Sequence, residues 1–277
     1  MTLSSKRPVA LDVIFHDELP LTNFHLIQSD LVWEDIDANL EHLEHQISHI
    51  DSGVIILPEM FSTGFSMASA RLAEAMTGKA VTWLTKLAAL KQVCLCGSII
   101  IEADNRYFNR FVWASPEGAI TTYDKRHLFR MAGEQDHYEA GSDQVQIDIN
   151  GIKLRPQVCY DLRFPAWSRN TTGYDALLYV ANWPAARREH WMTLLQARAI
   201  ENLSYVIAVN RVGKDGNDIE YAGDSCVIDP RGGYLLKMGA EEAVGSVDLD
   251  LVSLREYRDS FPAHLDADTF DIKGSRH

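Results

Sequence analysis

Residues 154–167, LRPQVCYDLRFPAW, begin as the end of a β-strand and finish as a charged turn. Just upstream, VQIDINGIKLRPQVCY (145–160) reads as two extended runs around Asn150-Gly151, a pair suited to a tight hairpin because both residues tolerate positive φ. Cys159 therefore stands where a buried strand emerges, against Tyr160, Asp161 and Arg163. A cysteine at such a place is either filler at the rim of a core or a sulfur with a task.

The rest of the chain supplies partners for that strand. NFHLIQSDL (23–31), GVIILPEMF (53–61), VCLCGSIII (93–101), ALLYVANWP (176–184) and SYVIAVNRVG (204–213) read as strands. WEDIDANLEHLEHQISHI (33–50), AVTWLTKLAALKQ (80–92) and EHWMTLLQARAIENL (189–203) carry helical spacing. YFNRFVWASPEGAITTYDK (107–125) and GDSCVIDPRGGYLLKM (223–238) read as hairpins, with a short strand in AVGSVDLD (243–250). Continuous apolar strands such as GVIIL and ALLYV imply burial on both faces. Two stacked sheets with helices outside, a four-layer αββα sandwich, account for both the buried runs and the hairpins. A single doubly wound sheet is the alternative. No GxGxxG turn follows any strand, which weakens dinucleotide binding. Residues 21–277 read as one domain, without repeats or linker. Residues 1–20 read as an irregular extension.

Composition narrows the function. The 277 residues hold 26 Lys+Arg and 39 Asp+Glu, so 26 − 39 = −13. That charge repels nucleic acid and anionic membranes. No apolar run reaches the roughly 20 residues of a membrane span. The segment after Lys6 and Arg7, PVALDVIFHDELPL, is too broken for a signal peptide, so a cytoplasmic location is expected. Four cysteines (94, 96, 159, 226) are too scattered for a disulfide scaffold, and CLC reads as two core thiols. HLEH (42–45) lies on a helix whose Leu40, Leu43, Ile47 and Ile50 face inward, so its histidines are expected in solvent, not on a metal. No metal or cofactor is called for.

Three strand-like runs end alike. GVIILPEM ends in Glu59, AITTYDKRH carries Lys125, and KLRPQVCYD carries Cys159. Alone, each has a bland reading: a loop carboxylate, a solvated lysine, a core thiol. Together they fit one mechanism. A thiol attacks well once its proton is removed, and a buried carboxylate can take that proton and return it to a leaving amine. An ammonium stabilises the oxyanion, and the N–H of Tyr160 is a second donor. His127 and His137 are alternative bases on sequence grounds.

LPEMFSTGF, YDKRHLF, VCYDLRFP and ARAIENLSYVIAVNRVG, in this order, resemble the signature blocks of the nitrilase superfamily of carbon–nitrogen hydrolases over roughly residues 24–260. CYDLRFPAWSRN and YVANWPAARREHW look most like the bacterial omega-amidase branch, which hydrolyses the side amide of 2-oxoglutaramate or 2-oxosuccinamate. The resemblance implies an αββα sandwich, Glu59 as general base and acid, Lys125 as oxyanion donor and Cys159 as the nucleophile that forms a thioester. It also implies a second glutamate, for which Glu134 is preferred over Glu139, and a homodimer paired through helices. The substrate's 2-oxo carboxylate wants a cation, and Arg163 is the candidate; an ion pair with Asp161 is its bland alternative. Phe61, Tyr107, Phe164 and Trp183 are candidate pocket walls, with Asn182 beside Trp183. Arg198 and Glu201 are expected to have a structural ion-pair and dimer role rather than a part in the chemistry. A deaminated-glutathione amidase, and a catalytically silent scaffold on the same fold, are the rival readings.

Overall fold

The computed structural model describes residues 22–272; the extension expected at residues 1–20 lies outside the described residues. The first sheet contains β1 (Asn23–Gln28), β2 (Val54–Ile56), β3 (Cys94–Ala103), β4 (Arg106–Ala114) and β5 (Ile120–Asp124). The second contains β6 (Ile147–Ile149), β7 (Ile152–Val158), β8 (Ala176–Ala181) and β9 (Tyr205–Asn210). A small ribbon, β10 (Val212–Lys214) and β11 (Glu220–Ala222), follows β9. β12 (Cys226–Ile228) and β13 (Tyr234–Lys237) complete the second sheet, and β14 (Ala243–Asp248) returns to the first.

The sheet orders are β14-β1-β2-β3-β4-β5 and β6-β7-β8-β9-β12-β13. Read in these orders, both sheets show the same sequence of pairings: antiparallel, parallel, parallel, antiparallel, antiparallel. Each sheet thus has a parallel centre whose strands must be covered on both faces. β2 shows how. Val54 and Ile56 join the core between the sheets, while Ile55 packs in the cluster beneath the helices Ile36–Gln46 and Lys79–Lys91. On the other side, Trp191, Leu195 and Ala199 of the helix Arg188–Asn202 and Leu251 and Leu254 of the helix Leu251–Ser260 cover the second sheet. The result is the four-layer αββα sandwich; the single doubly wound sheet is excluded.

Local chemistry sets the element ends. Asp35 caps the first helix, accepting from the Ala38 N–H at 3.0 Å. Asn150 and Gly151 both take positive φ at the turn between β6 and β7, as the Asn-Gly pair predicts. A second tight turn escapes the sequence reading. β3 runs ten residues and reverses directly into β4 through Asp104 and Asn105, both at positive φ. The β10–β11 ribbon and the helix Leu251–Ser260, capped by Asp250, were likewise not anticipated. Among the described residues the HLEH histidines belong to no group of three or more potential metal ligands, and His42 meets Glu242 at 2.8 Å. Cys94 and Cys96 are core thiols, as expected, and burial pushes Cys94 up to about 11.

Candidate active site

Four chain segments deliver side chains to one place. The segment after β2 carries Glu59, the end of β5 leads to Lys125, a short 3-10 turn holds Glu134, and the turn Cys159–Arg163 follows β7. All four side chains are buried. The Lys125 ammonium lies 2.9 Å from Glu59 Oε1 and 2.9 Å from both carboxylate oxygens of Glu134. Asn109, on β4, donates to Glu59 Oε1 at 2.7 Å. The Asn182 backbone N–H donates to Glu59 Oε2 at 2.8 Å, and its side-chain amide to the Glu59 carbonyl at 2.6 Å. The Phe129 N–H donates to Glu134. Glu134, not Glu139, is therefore the second glutamate of the cluster; Glu139 is exposed.

The electrostatics follow from the burial. One ammonium and two carboxylates sum to 1 − 2 = −1 if both carboxylates are ionised. Burial alone would lower Lys125, but Glu134 and Glu59 outweigh it and raise it above an ordinary lysine. Burial raises Glu134, against the pull of Lys125. Burial and then the Glu59 charge push the Cys159 thiol well above an ordinary cysteine, with Lys125 opposing. Both effects favour the protonated thiol over the thiolate.

The turn at Cys159 is strained and pinned. Cys159 has φ +44°, in the left-handed region that costs a non-glycine residue roughly 1 kcal/mol or more. Buried Asp161 holds the turn. It accepts from the Val158 N–H (2.9 Å), the Tyr123 hydroxyl (2.7 Å), the His127 N–H (2.9 Å) and His127 Nδ1 (2.8 Å). Arg198 adds a bond to the Leu162 carbonyl at 2.6 Å and meets Glu201 at 2.9 Å, the expected ion pair with a second task. His127 is thus committed to Asp161 and stacks on Phe164 at 3.8 Å; His137 is exposed. Neither histidine lines the cavity that holds Cys159.

That cavity is about 500 Å³, and Lys125, Cys159, Tyr160, Arg163, Asn182 and Trp183 line it. Arg163 does not pair with Asp161. Its guanidinium lies over the Trp183 ring at 5.0 Å and donates to His190 Nδ1 at 2.8 Å. Phe61, Tyr107 and Phe164 do not line the cavity. Phe61 is fully buried under the first sheet, 5.9 Å from Trp83, where Gly97 makes room: a Cβ there would come within 2.7 Å of the ring. Phe65, four residues on, lines the cavity instead and lies 5.0 Å under the Lys125 ammonium. Sequence reasoning missed Phe65, Asn109, Phe129 and Arg187. Asn109 had a signal, a polar residue inside the apolar run YFNRFVW; the others had none.

A paired-sheet sandwich with a buried Glu, Lys, Glu and Cys at its strand ends defines a carbon–nitrogen hydrolase, and this chain belongs to that family: the family's sequence model, described as "Carbon-nitrogen hydrolase", matches residues 26–259. The chain is 47% identical over 256 residues to the omega-amidase YafV of Escherichia coli strain K12, covering 92% of this chain and 100% of that one. It is 37% identical to the 2-oxoglutaramate amidase of Bacillus subtilis strain 168, over 81% of this chain and 87% of that one. In structure it is similar to XC1258 of Xanthomonas campestris, a CN-hydrolase superfamily protein with an arsenic adduct in its active site: TM-score 0.89, 41% identity, 92% of this chain and 100% of that one.

Proposed function

We propose that this protein hydrolyses the omega-amide of small 2-oxo acids, 2-oxoglutaramate and 2-oxosuccinamate, to the 2-oxo acid and ammonia. One observation carries the reading: a thiol, a carboxyl and an ammonium, remote in sequence, meet in a cavity that also presents arginine. The relatives named omega-amidase and 2-oxoglutaramate amidase support the choice of substrate.

The amide carbonyl binds with its oxygen toward Lys125 and the Tyr160 N–H. Cys159 Sγ attacks the carbonyl carbon as its proton passes to Glu59. The oxyanion rests on the Lys125 ammonium, which Glu134 and Glu59 hold in place. Collapse breaks the C–N bond, and Glu59 gives its proton to the nitrogen, which leaves as ammonia. Water then attacks the thioester, losing a proton to Glu59, and the proton returns to sulfur as the acid leaves. Because the thiol starts protonated, proton removal and attack are coupled, and a free thiolate is not exposed to oxidants. These steps balance without a metal or organic cofactor.

Arg163 takes the substrate carboxylate, and Trp183 walls the pocket. Residues 21–277 act as one hydrolase domain, working in the cytoplasm on a small molecule rather than on nucleic acid or membrane. The chain pairs as a homodimer through the helices that cover the second sheet, where Ile200, Val252 and Phe261 are exposed. Ammonia release from the two 2-oxo amides, with glutamine, asparagine and deaminated glutathione alongside, tests the reading. Faster turnover of deaminated glutathione would redirect it. No release from any amide, with an iodoacetamide-inert Cys159, would favour a silent scaffold. Light scattering after size exclusion tests the dimer.

A further inference from the structure

The charges around the cavity are unequally committed. Lys125 is matched by Glu59 and Glu134. Glu34 pairs with Arg71 and accepts from the Ser66 hydroxyl at 2.5 Å. Asp215 accepts from the Tyr221 hydroxyl at 2.9 Å and from the N–H groups of Asn217 and Ile219 at 2.8 and 3.0 Å. Two lining cations have no carboxylate within salt-bridge range among the described residues: Arg163 and Arg187. Arg163 spends one donor on His190. The Arg187 guanidinium makes no hydrogen bond among the described residues and lies 5.2 Å over the Phe129 ring.

The two arginines come from neighbouring strand ends. Arg163 ends the turn after β7, and Arg187 ends the 3-10 turn Ala185–Arg187 after β8; β7 and β8 are parallel partners. The Trp183 indole N–H donates to the Arg187 carbonyl at 2.8 Å and fixes that turn. Each guanidinium carbon lies over an aromatic ring of the same cavity, Trp183 at 5.0 Å or Phe129 at 5.2 Å. A cation–ring contact uses no N–H donor, so the N–H groups not spent on His190 stay available to a planar acceptor.

We propose that Arg187 is a specificity-determining residue: with Arg163 it grips the 2-oxo-carboxylate group, and the pair sets the preference for 2-oxo over 2-amino acids. This rests on the reaction proposed above. A 2-oxo-carboxylate presents three oxygens in or near one plane, two from the carboxylate and one from the ketone. One guanidinium edge satisfies two of them; the second arginine takes the third and shares the charge. In glutamine or asparagine the ketone is replaced by an ammonium, which offers no acceptor and is repelled by both cations.

The test compares wild type, Arg187→Gln and Arg187→Lys on 2-oxoglutaramate, glutamine and the neutral butanamide. Arg187→Gln should raise KM for 2-oxoglutaramate about tenfold or more, as expected for loss of a charge-assisted contact, with a much smaller change in kcat. Its loss in kcat/KM should exceed the loss on butanamide by about fivefold or more. The preference for 2-oxoglutaramate over glutamine should shrink, and lysine should restore only part of it. Equal losses on the charged and neutral amides, or an unmoved KM, would overturn the inference. Should Arg187→Gln not fold, Arg187→Lys carries the same comparison. Calorimetry with 2-oxoglutarate, on a Cys159→Ala background with and without Arg187→Gln, reads the grip without turnover; equal affinities would also overturn it. A wild-type enzyme that leaves 2-oxoglutaramate untouched defeats the proposed reaction itself. Wild-type turnover that Arg187→Gln does not alter defeats this inference alone.

Discussion

Replacing Glu59 with glutamine should move two assays of the same cavity in opposite directions. The side chain keeps its size and loses its charge. Cys159 is held as a thiol by burial and by Glu59, while the Lys125 ammonium favours the thiolate. Removing Glu59's charge takes away one restraint and leaves the lysine. At about 4 Å and an effective dielectric near 20, a unit charge is worth about 4 kcal/mol, which is the ceiling on the change. Lys125 itself loses one of its two carboxylate partners, so its influence on sulfur grows. Against this, a more easily ionised thiol is a weaker nucleophile, by a Brønsted slope of about 0.4–0.5, so roughly half of the gain is lost. Relaxation and water entry lower it further. The net expectation is a rise of about three- to tenfold in iodoacetamide alkylation at pH 7.5, followed by mass spectrometry of the Cys159 peptide. Amide hydrolysis in the same preparation should fall by about 10² to 10⁴, the usual worth of a positioned acid and base. If alkylation and hydrolysis fall together, Glu59 does not keep the proton on sulfur, and the thiol account of this site is wrong.

Other perturbations test separate parts of the structure. Glu134→Gln leaves the buried Lys125 ammonium with one carboxylate, and should cost on the order of 3 kcal/mol in urea unfolding and about 10² or more in kcat; unchanged stability would mean the ammonium is not held as described. Phe61→Ala should destabilise by about 3–5 kcal/mol while leaving KM for 2-oxoglutaramate near wild type, because the ring fills the core under β3 and not the pocket; a KM effect without a stability loss would contradict that placement. Arg163→Lys keeps the charge but loses the planar fork, so it should raise KM for 2-oxoglutaramate far more than for butanamide; equal effects would argue against a carboxylate grip. All four thiols are raised by burial in the fold and ionise near 8.5 when unfolded. Above that pH the folded state binds more protons than the unfolded one, so stability should fall as pH rises from 8.5 to 9.5, by up to about 1.4 kcal/mol per pH unit for each thiol. Urea titrations across this window should show the slope, and Cys226→Ser should reduce it by about one quarter.

Much of this protein was legible from its residues in order. Continuous apolar strands, hairpin turns and helical spacing implied two stacked sheets with helices outside, because local backbone preference and side-chain period act over a few residues. Glu59, Lys125 and Cys159 stood out because an ionisable group at the end of a buried strand needs a reason. The choice of Glu134 over Glu139 was settled only by the fold: the two lie five residues apart, and a 3-10 turn buries one against Lys125 while the other meets solvent. Phe61 and Phe65 exchanged roles for the same reason, since the turn after β2 points one ring at Gly97 and the other at the cavity. Asn109 and Arg187 reach the site only because β4 lies beside β5 and β8 beside β7. Sequence determined which segments become strands and which reactive groups end them; tertiary structure decided which of those groups share a cavity, because that depends on strand order and on contacts tens of residues apart, which no local pattern encodes.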